Sequence, residues 1–143
     1  MESNKKIGID VGGSHVTVSV FENNSAEKQS QVVIRKEINS KENPLAIISD
    51  IGSCITEVLI GGTTVDAVGI AFPGPFNYEK GVSEIIGVGG KFEQTFGVHV
   101  QQALKNFTGL VDTPFVFAND AHCFADGAYF RHHLKSKSTV FFL

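Results

Sequence analysis

Apolar positions recur along this chain with a period that changes from segment to segment, and the changes mark its elements. Lys6-Ile7-Gly8-Ile9-Asp10-Val11 is a short, mostly apolar strand that runs into a turn at Gly12-Gly13-Ser14. From His15 to Phe21, Val16, Val18 and Val20 alternate with His15, Thr17 and Ser19. Period two and β-branching predict a second strand, and the tight glycine turn makes the pair a hairpin. Glu22 to Gln31 is polar and reads as a connection, with a turn signal at Asn23-Asn24-Ser25. Val32 to Ile38 is a third strand. A helix follows, with Asn43 as N-cap and Pro44 in the first helical position. Ile48, Ile51, Ile55, Val58 and Leu59 form its buried stripe, and Gly61-Gly62 ends it. Cys54, one position off the stripe, is expected to be half-buried.

Val65 to Phe72 is an apolar run of strand length, expected to be buried on both faces and stopped by Pro73-Gly74-Pro75. Asn77 to Val88 reads as a hairpin or an irregular excursion, and Gly87, Gly89 and Gly90 as a flexible stretch. Phe92 and Phe96 have the spacing of one helical turn. Val100, Leu104 and Phe107 give a second helical stripe, ended by Gly109. Phe115 to Ala118 is another buried-type strand. Asn119-Asp120 opens a third helix with Ala121, Phe124, Ala125 and Ala128 on one side. The order βββαβαβα predicts an α/β domain whose sheet is mixed, a hairpin joined to parallel central strands. Residues 1–135 are read as this lobe. After the polar break at Lys135-Ser136-Lys137-Ser138, Thr139 to Leu143 has the pattern of a further strand. A buried-type strand with nothing behind it reads as a cut, so residues 136–143 are expected to lead into a missing C-terminal lobe.

Composition narrows the classes. The 143 residues carry a formal charge of −3, with 42% hydrophobic and 19% charged residues, an ordinary globular balance. Mild acidity without a basic stripe argues against nucleic acid as a partner. No apolar run reaches the ~18 residues of a membrane span, and Met1 to Lys6 lacks a secretory pattern. Cys54 and Cys123 cannot form a disulfide framework, and a cytoplasmic protein is expected. His132-His133 has no ligand at metal spacing nearby and reads as a solvated helix end. Phe115, Phe117, Phe124, Phe130, Phe141 and Phe142 read as core.

The candidate chemistry follows strands. Ligands of α/β sheets bind outside the carboxyl ends of the strands, and three loops sit there: Asp10 to Ser14, Pro73 to Pro75, and Asn119-Asp120. Glycines let backbone N–H groups approach a phosphate, and Asp10 is placed to hold Mg²⁺ directly or through water. A plain hairpin turn accounts for the same residues. Asp120 fits a base that accepts a hydroxyl proton in phosphoryl transfer, with Asn119 bonding sugar hydroxyls. Helix capping accounts equally for that pair. Neither a Walker loop nor a Gly-x-Gly-x-x-Gly occurs.

Together the loops carry a resemblance. Ile7 to Ser14 resembles the phosphate-1 motif of the actin-like ATPase superfamily. Val68 to Pro75 and Phe117 to Ala121 look like the matching stretches of ROK-family sugar kinases, which include bacterial glucokinases. The resemblance implies an RNase H-like fold and ATP- and Mg²⁺-dependent phosphorylation of a hexose hydroxyl. It implies Asp120 as general base, and Asn119, Asp120 and Gly74 at the sugar, with Gly89 and Gly90 near it. Asp10, Gly12, Gly13 and Ser14 match the phosphate and Mg²⁺ loop. The first motif usually continues Gly-Gly-Thr-Lys; here Ser14 keeps the hydroxyl and His15 stands where the fixed cation would be. Family kinases have a second domain with an adenosine pocket and often a zinc site, so zinc is expected only in a missing lobe. A homo-oligomer is expected of the full-length protein, and inactivity of this lobe alone. The alternatives are a sugar-responsive transcriptional regulator of the same family, for which Ile7 starts the first strand too close to Met1, and a non-catalytic sugar-binding or interaction module.

Overall fold

The computed structural model describes residues 5–24, 27–62, 64–87 and 89–119. Five strands form one sheet in the order β3-β2-β1-β4-β7. They are β1 (Lys5–Val11), β2 (His15–Asn24), β3 (Glu27–Glu37), β4 (Ala67–Phe72) and β7 (Phe115–Asn119). β1, β2 and β3 pair antiparallel, whereas β4 lies parallel to β1 and β7 parallel to β4. A small hairpin, β5 (Phe76–Asn77) with β6 (Val82–Ser83), stands apart from the sheet. This is the mixed α/β sheet that the order of elements predicts.

Two helices, α1 (Pro44–Leu59) and α2 (Val100–Thr108), pack against each other. Asn43 caps α1 by accepting a hydrogen bond from the Ala46 N–H at 3.0 Å, and Pro44 needs no partner in the first turn. Gly109 ends α2 in the left-handed conformation, φ 77°. Between the helices and the sheet, Ile47, Ile51, Ile55 and Leu104 close over Ile7, Ile9, Val16, Val18, Val68, Ile70, Phe72 and Phe117.

Three expectations change, and a fourth takes a specific form. The polar stretch from Glu22 to Gln31 is ladder and not connection: β2 continues to Asn24, which pairs with Glu27. Main-chain pairing needs no apolar side chains, so the hairpin runs on past the core. Its register skips Val33 at a bulge opposite Val18 and Ser19. Among the described residues β4 is buried on one face only, through Val68, Ile70 and Phe72, with Gly69 exposed between them. β7 likewise buries Phe115 and Phe117 and exposes Val116. Both helices lie over the face that carries the buried side chains. Cys54 is fully buried, 1% exposed, because α1 is covered on a wider arc than its aliphatic stripe. The spacing of Phe92 and Phe96 marks a 3-10 turn at Glu93–Thr95, with Phe92 buried and Phe96 exposed. The third helix, His132-His133 and residues 136–143 lie outside the described residues.

The contact between α1 and α2 depends on a glycine. A methyl group on Gly52 would overlap the Phe107 ring at Cδ1, Cε1 and Cγ, so the ring would have to shift. Gly52→Ala is expected to lower stability by about 1–2 kcal/mol, overpacking outweighing the gain in helix propensity. In a Phe107→Ala background the same change should turn stabilising by about 0.5–1 kcal/mol. Urea unfolding of the four variants tests the reversal of sign.

Burial pushes the Cys54 thiol pKa up, with Glu57 and Asp50 adding to the shift and Lys36 opposing it. The unfolded chain therefore loses the proton first, and stability falls as pH rises above the ordinary thiol range, roughly 8.5. Cys54→Ala should flatten that alkaline slope in a pH series of unfolding midpoints, with Cys123→Ser as the common background.

Candidate functional site

Parallel pairing decides where the chemistry gathers. Asp10 lies opposite Ala71, and Phe72 opposite Asn119, so β1, β4 and β7 end at the same edge of the sheet. The segments that follow them, Gly12 to Ser14 and Pro73 to Pro75, leave from that edge side by side. Asp120 is the next residue after Asn119 in sequence and lies outside the described residues.

The first segment is a tight connection between β1 and β2. The Gly12 N–H donates to the His15 carbonyl at 2.8 Å, and the Ile38 N–H donates to the Ser14 carbonyl at 2.9 Å. Ser14 Oγ and His15 Nδ1 are 2.9 Å apart, and His15 Nε2 faces Glu37 Oε1 at 3.9 Å. Neither Gly12 nor Gly13 has a positive φ, so the turn does not need glycine for its backbone. It needs glycine for room. A Cβ on Gly12 would stand 3.2 Å from the His15 carbonyl, and one on Gly13 would stand 3.2 Å from Lys91 Cδ and 3.3 Å from Lys91 Nζ. Asp10, exposed at the end of β1, points away from the core that holds Ile9 and Val11. One carboxylate, a stretch of bare backbone, a hydroxyl and an ammonium suit a polyphosphate and Mg²⁺, which takes few carboxylates and keeps several waters. Among the described residues no group of His, Cys, Asp or Glu forms a closed metal cage.

The second segment is built on aromatic packing. Phe72, at the end of β4, is fully buried against Phe76 at 4.8 Å, Phe92 at 5.4 Å and Phe117 at 6.5 Å between centroids. Pro73-Gly74-Pro75 crosses above this cluster with a cis Gly74–Pro75 bond. Tyr78 then turns back: its hydroxyl donates to the Phe72 carbonyl at 2.9 Å and accepts from Asn119 Nδ2 at 3.1 Å. A Cβ on Gly74 would stand 3.2 Å from that hydroxyl and 3.6 Å from Asn119 Nδ2. Gly74, Tyr78 and Asn119 thus form one polar corner where β4 and β7 end.

Gly89 and Gly90 take positive φ, 69° and 82°, and the turn they make belongs beside the first loop. A Cβ on Gly90 would lie 3.6 Å from the Lys41 stem, and the next residue, Lys91, crosses Gly13. Tyr78 and Lys91 are the residues that sequence reasoning missed. Tyr78 lay in a stretch with no clear period, and Lys91 was an exposed lysine among glycines. Only the fold brings either to a strand end.

Comparison with known proteins agrees with this architecture. The sequence profile of the ROK family matches residues 6–143. The chain belongs to the ROK family. A ROK hexokinase from Thermus thermophilus superposes with a TM-score of 0.66 at 20% identity, covering 87% of this chain and 38% of that one. A ROK family glucokinase from Streptomyces griseus, solved with glucose and AMPPNP, gives 0.65 at 19% identity, covering 87% and 36%. A ROK family transcriptional regulator, a homolog of the E. coli MLC protein, gives 0.58 at 18% identity, covering 81% and 28%. The chain thus spans well under half the length of these ROK structures. No curated protein sequence matches it. Its mixed sheet and helices share their fold with part of these ROK structures. No helix among the described residues is long and apolar enough to cross a membrane.

Tyr78→Phe removes one donor and one acceptor from the polar corner. A loss of about 1–2 kcal/mol is expected, read as a lower urea midpoint, together with a shift of the Asn119 side-chain amide resonances. An unmoved amide signal would show that Tyr78 does not hold Asn119.

Proposed function

We infer that this chain is the N-terminal half of an ATP-dependent hexose kinase, of glucokinase-like activity, that transfers the γ-phosphate of ATP to a sugar hydroxyl. The observation that carries the reading is the convergence of the β1, β4 and β7 ends on one sheet edge. One end offers a phosphate-type turn and the next a polar corner of Gly74, Tyr78 and Asn119. Kinase structures among the ROK neighbours support it, one of them holding glucose and AMPPNP.

In this reading Gly12, Gly13 and Ser14 face the phosphates of ATP, and Asp10 holds Mg²⁺, directly or through water. The ion would neutralise charge on the phosphates. Asn119, steadied by Tyr78, and the backbone at Gly74 bind sugar hydroxyls, and Gly89 and Gly90 line the approach. Asp120 accepts the hydroxyl proton as the sugar oxygen bonds to the γ-phosphorus and the bond to ADP breaks. A helix start would weaken Asp120 as a base, but phosphoryl transfer asks for position more than basicity. Residues 1–135 form the lobe and 136–143 lead toward a C-terminal lobe that closes over ATP, which leaves this lobe inactive by itself. The whole protein is read as cytoplasmic and homo-oligomeric.

The test is coupled ADP release by the whole protein over a panel of hexoses, with Asp120→Ala as the decisive variant. The variant is expected to lose about 10²- to 10⁴-fold in kcat with its unfolding midpoint kept. Near-normal turnover would remove Asp120 as the base. Sugar binding without any turnover would favour the regulator reading, which the MLC-type neighbour also supports.

A further inference from the structure

We propose that Lys91 supplies the fixed positive charge of the first loop and binds the phosphate chain of ATP there. The inference rests on the kinase reading of this edge and adds to it a residue that lies outside the loop itself.

The first observation is contact. The Lys91 side chain lies across Gly13, with Cδ, Nζ and Cε at 3.2, 3.3 and 3.4 Å from where a Cβ on Gly13 would stand. Gly13 has no positive φ, and its bare Cα leaves the space that the Lys91 side chain crosses. The ammonium is thereby brought to bare backbone, where a phosphate oxygen can meet the N–H groups and the cation together.

The second observation is the way Lys91 is rooted. Phe92 is 2% exposed and packs on Phe72, yet it has φ 57°, the left-handed region that a bulky side chain rarely enters. Such strain persists only where the surroundings enforce it, and it collects at functional sites. Here the Phe92 N–H donates to the Ser40 carbonyl at 2.7 Å, and two residues earlier the Ile38 N–H donates to the Ser14 carbonyl. One strap therefore ties the backbone beside Lys91 to the same loop that the side chain covers. Gly89 and Gly90, both left-handed, aim the turn.

The third observation is charge. The chain is net negative, and Asp10 and Glu37 both stand at this end of the β1–β2 hairpin. His15, the basic residue beside the turn, faces Glu37 at 3.9 Å and is turned to that carboxylate. A polyphosphate brought here meets carboxylates unless a permanent cation offsets them, and Lys91 is placed to do so.

The experiment is steady-state kinetics of the whole protein with MgATP, backed by equilibrium binding of AMPPNP. Lys91→Gln is expected to raise the KM for ATP and the Kd for AMPPNP by about tenfold or more, with the sugar KM unchanged within about twofold. Lys91→Arg should restore both to within about threefold. Lys5→Gln, at the far end of β1 and matched in charge, should change neither. If the enzyme turns over and Lys91→Gln leaves both constants unchanged, the role of Lys91 is overturned and the kinase reading stands. If the unaltered protein neither turns over nor binds AMPPNP, the kinase reading falls and the role of Lys91 with it. Lys91 is exposed, so a folding defect is not expected, and the thermal midpoint of each variant checks it.

Discussion

The pairing of β4 between β1 and β7 is the constraint on which the site depends. Parallel neighbours must start at one edge and end at the other, so three stretches far apart in sequence finish together. The pairing needs long crossovers, and α1 and α2 lie within them. Those helices cover one face of the sheet. The shared edge is a by-product of the topology, and it brings Asp10, Gly74 and Asn119 to one side of the sheet.

Much of this was legible in the residues. Alternation at Val16 and Val18, the stripe through Ile48, Ile51 and Ile55, and the cap at Asn43 marked their elements because each side chain serves one face or one orphan amide. The loops at Gly12, Gly74 and Asn119 were legible as strand ends. Among the described residues the central strands bury one face, which an apolar run such as Val65 to Phe72 does not reveal. The length of the β2–β3 hairpin escaped for the opposite reason: backbone pairing leaves no trace in the side chains of Glu22 to Gln31. Tyr78 and Lys91 escaped because their roles are contacts across the fold, Tyr78 with Asn119 and Lys91 with Gly13.

Glycine serves two purposes here, and the distinction matters for reading other loops of this kind. Gly89, Gly90 and Gly109 hold left-handed backbone. Gly13 and Gly52 hold backbone without positive φ and lie under a neighbour, Lys91 in one case and the Phe107 ring in the other. The first sort can be anticipated from turn chemistry. The second becomes visible only with the partner in place.

The two ends of this sheet edge differ in how local their construction is. The Gly12 to Ser14 turn closes between β1 and β2, adjacent in sequence, and entropy charges little for so short a loop. The Asn119 corner needs Lys6 to find Ala67 and Val68 to find Phe115, and β7 is the sheet's outer strand among the described residues. Partial unfolding that peels off β7 would dissolve that corner and leave the glycine turn intact. In assembly the order reverses: the turn can form early with its hairpin, and the corner waits for the slower, nonlocal pairs. This edge is thus made and lost from its Asn119 side.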